Sequence, residues 1–86
     1  MTDDLALRRK RALYRAQHRG TKEMDWMVGR YAEAKLSGMD SAALEHFERL
    51  LAVTDVELDA WIMKPGSIVE LEFAATIVDL KAFHAL

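Results

Sequence analysis

The fold is decided by the stretch MDWMVGRY, which occupies residues 24–31. Four of its apolar side chains follow the i, i+3, i+4, i+7 spacing of a helix with one buried face: Met24, Met27, Val28 and Tyr31. This spacing predicts a helix from about Thr21 to Leu36. The pair Ser37-Gly38 supplies the end of that helix, because glycine readily adopts the backbone conformation that stops one.

Further helices are predicted on both sides of this one. The first runs from about Asp3 to Gln17, with a cap at Thr2 or Asp3. Its apolar stripe is weak, so we expect this helix to be only loosely buried. The third helix starts after a cap at Asp40 or Ser41. Its core-facing residues are expected to be Leu44, Phe47, Leu50 and Leu51.

Two capping boxes predict the starts of the fourth and fifth helices. Thr54 with Glu57, and Ser67 with Glu70, each place a hydroxyl three residues before a carboxylate, so the two side chains can satisfy free backbone N–H groups. The fourth helix should end near Met63, because a proline follows two residues later. The residues of the fifth helix expected in the core are Leu71, Ala74, Ala75 and Val78.

The predicted fold class is all-α, a compact five-helix antiparallel bundle in one domain covering residues 1–86. The chain has 86 residues, enough for one domain but not for a deep closed cavity. Loops of two to five residues make helices that follow one another antiparallel.

Composition excludes several classes of protein. The chain is 51% hydrophobic and 30% charged, which is typical of a globular domain and not of a disordered one. No apolar run is long enough to cross a bilayer, so we expect no membrane insertion. The start Met1-Thr2-Asp3-Asp4 is acidic and resembles neither a secretory signal nor a mitochondrial transit peptide. We therefore expect a cytoplasmic protein.

The residue pattern does not predict catalysis. The chain has no cysteine, and its three histidines, His18, His46 and His84, lie far apart without a metal-ligand spacing. No hydroxyl residue has an evident general base, and the glycines form no phosphate-binding loop. We expect structural histidines, no metal site, no tightly bound cofactor and no enzymatic activity.

Charge is distributed unevenly along the chain. Residues 1–22 contain seven Lys or Arg against two acidic residues, and residues 23–86 contain five against twelve. The basic run at residues 8–11 permits an alternative function, a nucleic-acid-binding or antitoxin-like regulator that uses the first helix. The acidic charge of residues 23–86 argues against this alternative, because the phosphates of a nucleic acid would repel that part of the chain.

The segment RGTKE at residues 19–23 marks the corner between the first two helices. Gly20 lets the chain turn, and Glu23 falls in the first helical turn, where a carboxylate is favoured. One interpretation is purely structural: a glycine turn followed by a capping acid. A helical wheel, however, places Trp26 and Arg30 away from the core, and these residue types are enriched at interface hot spots. Trp26 is either exposed for binding or covered by the first helix.

Residues 8–80 resemble the SdhE family, the succinate dehydrogenase flavinylation factors, called assembly factor 2 in eukaryotes. The family motif Arg-Gly-x-x-Glu stands here as Arg19, Gly20 and Glu23, followed downstream by FERLL at 47–51 and LDAWIM at 58–63. His18 stands where some relatives have a second arginine, so a contact made by that arginine is not implied here.

The resemblance implies a five-helix protein that binds the flavoprotein subunit of succinate dehydrogenase and promotes its covalent attachment of FAD. Fumarate reductase is a further client to consider, and we expect a monomer when the protein is free. The expected docking surface is the helix corner, with an arginine and a glutamate pointing outward. Its candidate partner-binding residues are Arg19, Gly20, Glu23, Asp25, Trp26 and Arg30.

Overall fold

The computed structural model describes residues 3–86, which form five α-helices and two short 3-10 helices. The α-helices are α1 (Asp3–Gln17), α2 (Lys22–Lys35), α3 (Ser41–Leu51), α4 (Asp55–Met63) and α5 (Ala74–Phe83). The 3-10 helices are Leu36–Gly38 and Leu71–Phe73. The predicted all-α bundle is confirmed, and the predicted limits of α1, α2 and α4 and the predicted start of α3 agree with the observed ones to within about one residue.

Side-chain caps define the starts of three helices. The Thr21 hydroxyl accepts from the Met24 amide at 3.2 Å to begin α2, and the Asp40 carboxylate accepts from the Ala43 amide at 2.8 Å to begin α3. Thr54 begins α4 in the same way. These caps satisfy N–H groups that have no partner within the helix. The cap predicted for α1 at Thr2 or Asp3 lies outside the described side chains.

The capping box predicted at Ser67 and Glu70 is wrong, and α5 begins only at Ala74. The Ser67 hydroxyl lies 2.7 Å from the Ala60 carbonyl oxygen and 2.9 Å from that of Lys64. It is therefore a donor at the end of α4 and is not available to cap the next helix. The chain stays extended before the 3-10 turn that leads into α5.

The buried face of α5 also differs from the prediction. Leu71 is 91% exposed and Val78 67% exposed, Ala75 is exposed and Ala74 only half-buried. The core receives instead Phe73, Ile77 and Leu80. Both sets have helical spacing, so periodicity alone does not choose between them. The observed set removes the bulkier side chains from water, including the only aromatic ring at these positions.

The first and third helices run in the same direction and pack against each other, and α2, which connects them along the chain, runs in the opposite direction. Near the start of α1, Arg8 Nη1 lies 3.1 Å from Ser41 Oγ at the start of α3. Just beyond the end of α1, Arg19 donates to the carbonyl of Leu51 at the end of α3. The first three helices therefore alternate in direction, as predicted for short connections.

Helix α5 lies antiparallel to α2. Tyr31 of α2 donates a 2.6 Å hydrogen bond to Asp79, while the carbonyl oxygen of Met27, one turn earlier, lies 2.8 Å from Nε2 of His84. Burial, followed by the bond to Asp79, raises the pKa of Tyr31, which keeps its hydroxyl protonated as the donor. These two hydrogen bonds hold α5 and the C-terminal turn against the middle of α2.

The first helix is packed more firmly than its weak apolar stripe indicated, so the expectation of loose burial is wrong. Ala12 and Ala16 are fully buried, and small side chains at these positions allow close approach to the neighbouring helices. Gly29 of α2 lies against Gln17 at the end of α1. Every α-helix contributes to the single core, including all four residues predicted for α3.

An ion pair adds to the packing between α1 and α3. Arg8 Nη2 lies 2.9 Å from Glu48 Oε1, and Arg8 Nε lies 3.3 Å from the other carboxylate oxygen. The hydrogen bond from Arg8 lowers the pKa of Glu48 below its ordinary value of 4.5. A depressed carboxyl pKa stabilises the folded state above the unfolded pKa, and this stabilisation is lost as pH falls through the folded pKa.

Replacing Glu48 by glutamine should therefore lower stability more at pH 7 than at pH 3. At pH 7 the wild type gains from the charged pair, and this gain shrinks as the pH falls toward the lowered pKa of the carboxyl. Urea unfolding of both proteins at the two pH values measures the difference. An equal difference at pH 7 and pH 3 would show that the Arg8–Glu48 charge interaction does not stabilise the fold.

Replacing Gly29 by alanine should destabilise the protein. An added Cβ would lie 3.0 Å from Gln17 Cγ and 3.3 Å from Gln17 Cα, so Gln17 and its backbone at the end of α1 must move slightly. In a helix, alanine is more stabilising than glycine by about 0.5–1 kcal/mol, but overpacking lowers the stability by about 1–3 kcal/mol. We expect a net loss of about 1 kcal/mol, or roughly 4–8 °C in Tm.

Gly38→Ala is the matched control for this substitution, because no atom lies within 4 Å of a Cβ built there. We expect it to be neutral or stabilising by about 0.5 kcal/mol. Thermal unfolding followed by circular dichroism measures both variants. Equal stability of the two variants would contradict the proposed close packing at Gly29.

Candidate functional site

The corner between α1 and α2 turns at Gly20, whose φ is +126°. Residues other than glycine rarely adopt this backbone conformation. A Cβ at this position would also lie 3.2 Å from Asp55 Oδ2. Glycine is therefore required both by the backbone conformation and by the close approach of Asp55 at the start of α4.

The carboxylate of Asp25 fixes this turn from inside α2. Its Oδ1 accepts from the backbone amide of Gly20 at 3.2 Å and from that of Arg19. Asp25 is half-buried as a result. Its main role in the described structure is to hold two successive amides of the corner, which leaves less of the side chain available to a partner.

The guanidinium group of Arg19 joins the corner to the opposite loop. Its Nε lies 2.8 Å from Asp55 Oδ1, and its two terminal nitrogens donate to the carbonyl oxygens of Leu51 and Val53. Only 9% of the side chain is exposed. We call Arg19 and these three acceptors the Arg19 clamp.

The expectation that Arg19 points outward to a partner is therefore wrong. Two of its acceptors are carbonyl groups at the end of α3 and just beyond it, where the helix dipole favours a positive charge. The planar guanidinium group can donate to several acceptors at once, which lysine cannot do with the same geometry. Arg19 shapes the corner and is not itself on the surface.

The outward face of α2 contains the remaining predicted residues. Glu23, Trp26 and Arg30 are all exposed, and successive members lie three and four positions apart on one side of the helix. We call these three residues the α2 stripe. Trp26 is 53% exposed, and its ring packs on the C-terminal turn and not under α1. Neither Glu23 nor Arg30 forms an ion pair with another residue of the described chain.

A groove that the sequence did not reveal continues from this stripe. It has a volume of about 670 Å³ and lies between α2 and the end of α5. Its lining residues are Trp26, Arg30, Glu33, Ala34, Phe83, His84 and Ala85. The two sides are at least 49 positions apart in sequence, so only the packing of α5 on α2 brings them together.

The basic run in α1 is partly used inside the fold. Arg8 pairs with Glu48, and Arg9 donates to the carbonyl oxygen of Met39. Nucleic-acid binding through this run would have to compete with these contacts, so the structure does not favour the alternative function. Lys10 and Arg11 are exposed to solvent.

The histidines have structural contacts in the described chain. His18 Nδ1 lies 2.8 Å from the Tyr14 carbonyl oxygen, and His46 Nε2 lies 2.8 Å from Thr76 Oγ1. Within residues 3–86 we find no group of three His, Asp or Glu side chains that could hold a metal ion. None of the helices formed by these residues is long and apolar enough to span a membrane.

Comparison with known proteins identifies relatives along most of the chain. A family model described as "Flavinator of succinate dehydrogenase" matches residues 10–84. The chain is 42% identical over 60 residues to the FAD assembly factor SdhE of Acetobacter pasteurianus. The matched segment covers 70% of this chain and 55% of that protein. No solved structure matches the chain.

Two mitochondrial proteins named succinate dehydrogenase assembly factor 2 are also similar. The protein of Dictyostelium discoideum is 29% identical over 76 residues, covering 88% of this chain and 53% of that protein. The protein of Yarrowia lipolytica is 30% identical over 66 residues, covering 77% of this chain and 46% of that protein. The chain thus spans about half the length of the curated relatives it matches.

Replacing Arg19 by lysine should destabilise the protein by about 1.5–3 kcal/mol, because lysine cannot satisfy the carboxylate and both carbonyl groups together. Arg30→Lys is the matched control, since Arg30 is exposed and unpaired within the described chain, and we expect its effect to stay within about 0.5 kcal/mol. Chemical unfolding measures both. Equal stability of the two variants would contradict the clamp.

Proposed function

This chain belongs to the family of flavinators of succinate dehydrogenase, and from this membership we propose that it is an assembly factor. In this proposal it binds the flavoprotein subunit of a bacterial succinate dehydrogenase and promotes the covalent attachment of FAD to a histidine of that subunit. The observation that carries the proposal is the α2 stripe. It presents an exposed tryptophan between two unpaired charges, within the segment that the family model matches.

The α2 stripe has the composition of a protein-binding hot spot. Tryptophan and arginine are enriched among the residues that dominate binding energy, and Trp26 supplies a large apolar area beside Arg30. Glu23 and Arg30 can form charge-assisted hydrogen bonds with groups of the partner. Because all three lie on a helix, their backbone needs little ordering on binding.

The Arg19 clamp supports this surface from behind. It holds the start of α2 against the loop between α3 and α4, so the stripe keeps one orientation relative to the bundle. Arg19, Gly20 and Asp25 then contribute to binding through the shape of the corner, while Glu23 contacts the partner directly. A rigid surface of this kind suits a protein that must position a larger one.

Positioning is a sufficient mechanism for promoting flavin attachment. Aligning two reacting groups can lower a barrier by several kcal/mol without supplying an acid or a base. We propose that the chain holds a mobile part of the flavoprotein so that the flavin and the acceptor histidine meet, and that the flavoprotein itself completes the bond. On this basis the chain is not an enzyme and holds no FAD of its own.

The cellular setting is part of the same proposal. We place the protein in the bacterial cytoplasm as a monomer, with fumarate reductase as a further client to test. The similarity to a bacterial FAD assembly factor supports this placement.

The proposal is tested by deleting the gene and measuring covalent flavin on the dehydrogenase by in-gel fluorescence. We expect the fluorescence of the flavoprotein subunit to fall by about 10-fold or more, because unaided alignment of the reacting groups is rare. A plasmid copy of the wild-type gene should restore it. Unchanged fluorescence in the deletion strain, with the subunit present in normal amount, would contradict the proposed function.

Replacing Trp26 by alanine should weaken binding to the flavoprotein by about 30-fold, which corresponds to about 2 kcal/mol for a hot-spot residue. Tyr14→Ala is the matched control, because Tyr14 is an equally exposed aromatic residue on α1, outside the α2 stripe. We expect it to change affinity by less than about 3-fold. Calorimetric titration with the purified subunit measures both variants, and equal losses would place the docking surface elsewhere.

A further inference from the structure

The end of α5 is a defined turn that places one side chain beside the α2 stripe. The amide of Leu86 donates to the Lys81 carbonyl oxygen at 2.8 Å, and the amide of Ala85 donates to that of Ala82 at 3.0 Å. Ala85 has a φ of 60°. This pair of bonds with a left-handed residue is the Schellman motif that commonly terminates helices. His84 lies directly before Ala85 in this turn, and its side chain reaches α2.

His84 contacts α2 in two ways. Its Nε2 lies 2.8 Å from the carbonyl oxygen of Met27, and because that oxygen only accepts, Nε2 is the protonated nitrogen. The centroid of its ring lies 4.7 Å from that of Trp26, with the two planes inclined by 38°. A bond to the backbone thus fixes the imidazole, and the imidazole in turn packs against the indole.

Without this contact the indole of Trp26 would have few neighbours on its outer side, since the residue is 53% exposed. An exposed side chain samples several rotamers, and binding must then order it at a cost in entropy. The imidazole restricts that freedom in the unbound protein. Affinity gained in this way comes from preorganisation and not from a new contact with the partner.

We propose that His84 is a positioning residue for Trp26, and that the docking surface extends from the α2 stripe across the groove to the C-terminal turn. This inference rests on the proposed function. The occupant of the groove is an apolar side chain of the flavoprotein subunit. Aromatic rings of Trp26 and Phe83 line the groove, and Arg30 and Glu33 lie beside them, which is the apolar centre and polar rim of a protein interface.

The first measurement concerns the free protein. In a Trp61→Phe background, Trp26 is the only tryptophan, so acrylamide quenching of fluorescence reports on its indole alone. His84→Ala should raise the quenching constant about 2-fold, because one face of the ring loses its cover. His18→Ala, which removes an exposed imidazole just beyond the end of α1, is the matched control and should leave quenching unchanged. Equal quenching in the His84 variant and its parent would overturn the proposal.

The second measurement is a double-mutant cycle on binding to the purified flavoprotein subunit. His84→Ala should weaken binding about 5-fold in the wild-type background but not in the Trp26→Ala background, since a positioning residue acts only through its target. Circular dichroism confirms that each variant is folded. The same 5-fold loss in both backgrounds would show that His84 acts independently of Trp26 and would overturn the inference alone.

Failure of the proposed function gives a different result. In that case the unmodified protein itself does not bind the flavoprotein subunit, and the present inference is overturned with it. Binding by the wild type, together with additive losses in the cycle, overturns only the role assigned to His84.

Discussion

The structure depends on one charged group that is almost completely enclosed. The guanidinium of Arg19 follows the end of α1 and is satisfied by the Asp55 carboxylate and by the carbonyl oxygens of Leu51 and Val53. A buried charge is costly unless such partners surround it. Since its acceptors extend from the last residue of α3 to the first residue of α4, this single residue connects the corner between α1 and α2 to the junction of α3 and α4.

This interaction divides the family motif into two functional parts. Arg19 and Gly20 lie toward the bundle, where the turn and the approach of Asp55 require those residue types. Glu23 projects from the first turn of α2 and continues into Trp26 and Arg30 on the outer face. A substitution in the first group changes the shape of the surface, whereas a substitution in the second group changes its chemistry. Under the proposed function both would impair docking, for different physical reasons.

Local patterns in the sequence were sufficient for most of the helices. The periodicity of α2 and α3 and the caps at Thr21, Asp40 and Thr54 act within a few residues, so they can be read without knowledge of the fold. The prediction was wrong for α5, because Leu71 with Val78 and Phe73 with Ile77 both have helical spacing. Which pair is buried depends on how the preceding loop approaches the bundle.

The candidate site was predictable in its location but not in its orientation. The helical wheel correctly placed Trp26 on the outer face of α2. It could not place Arg19, because the acceptors of its guanidinium lie more than thirty positions away. The same limit applies to His84, whose contact with Met27 spans 57 positions. Such contacts become visible only when the packing of the helices is known.

The position of Arg19 can be tested directly by nuclear magnetic resonance of the arginine side chains. Exchange of the Nε–H proton with water is measured for Arg19 and for exposed Arg30 in the same sample, both free and bound to the flavoprotein subunit. The clamp predicts that Arg19 exchanges at least about 10-fold more slowly than Arg30 in the free protein and stays protected in the complex. Equally fast exchange of the two protons in the free protein would contradict the account.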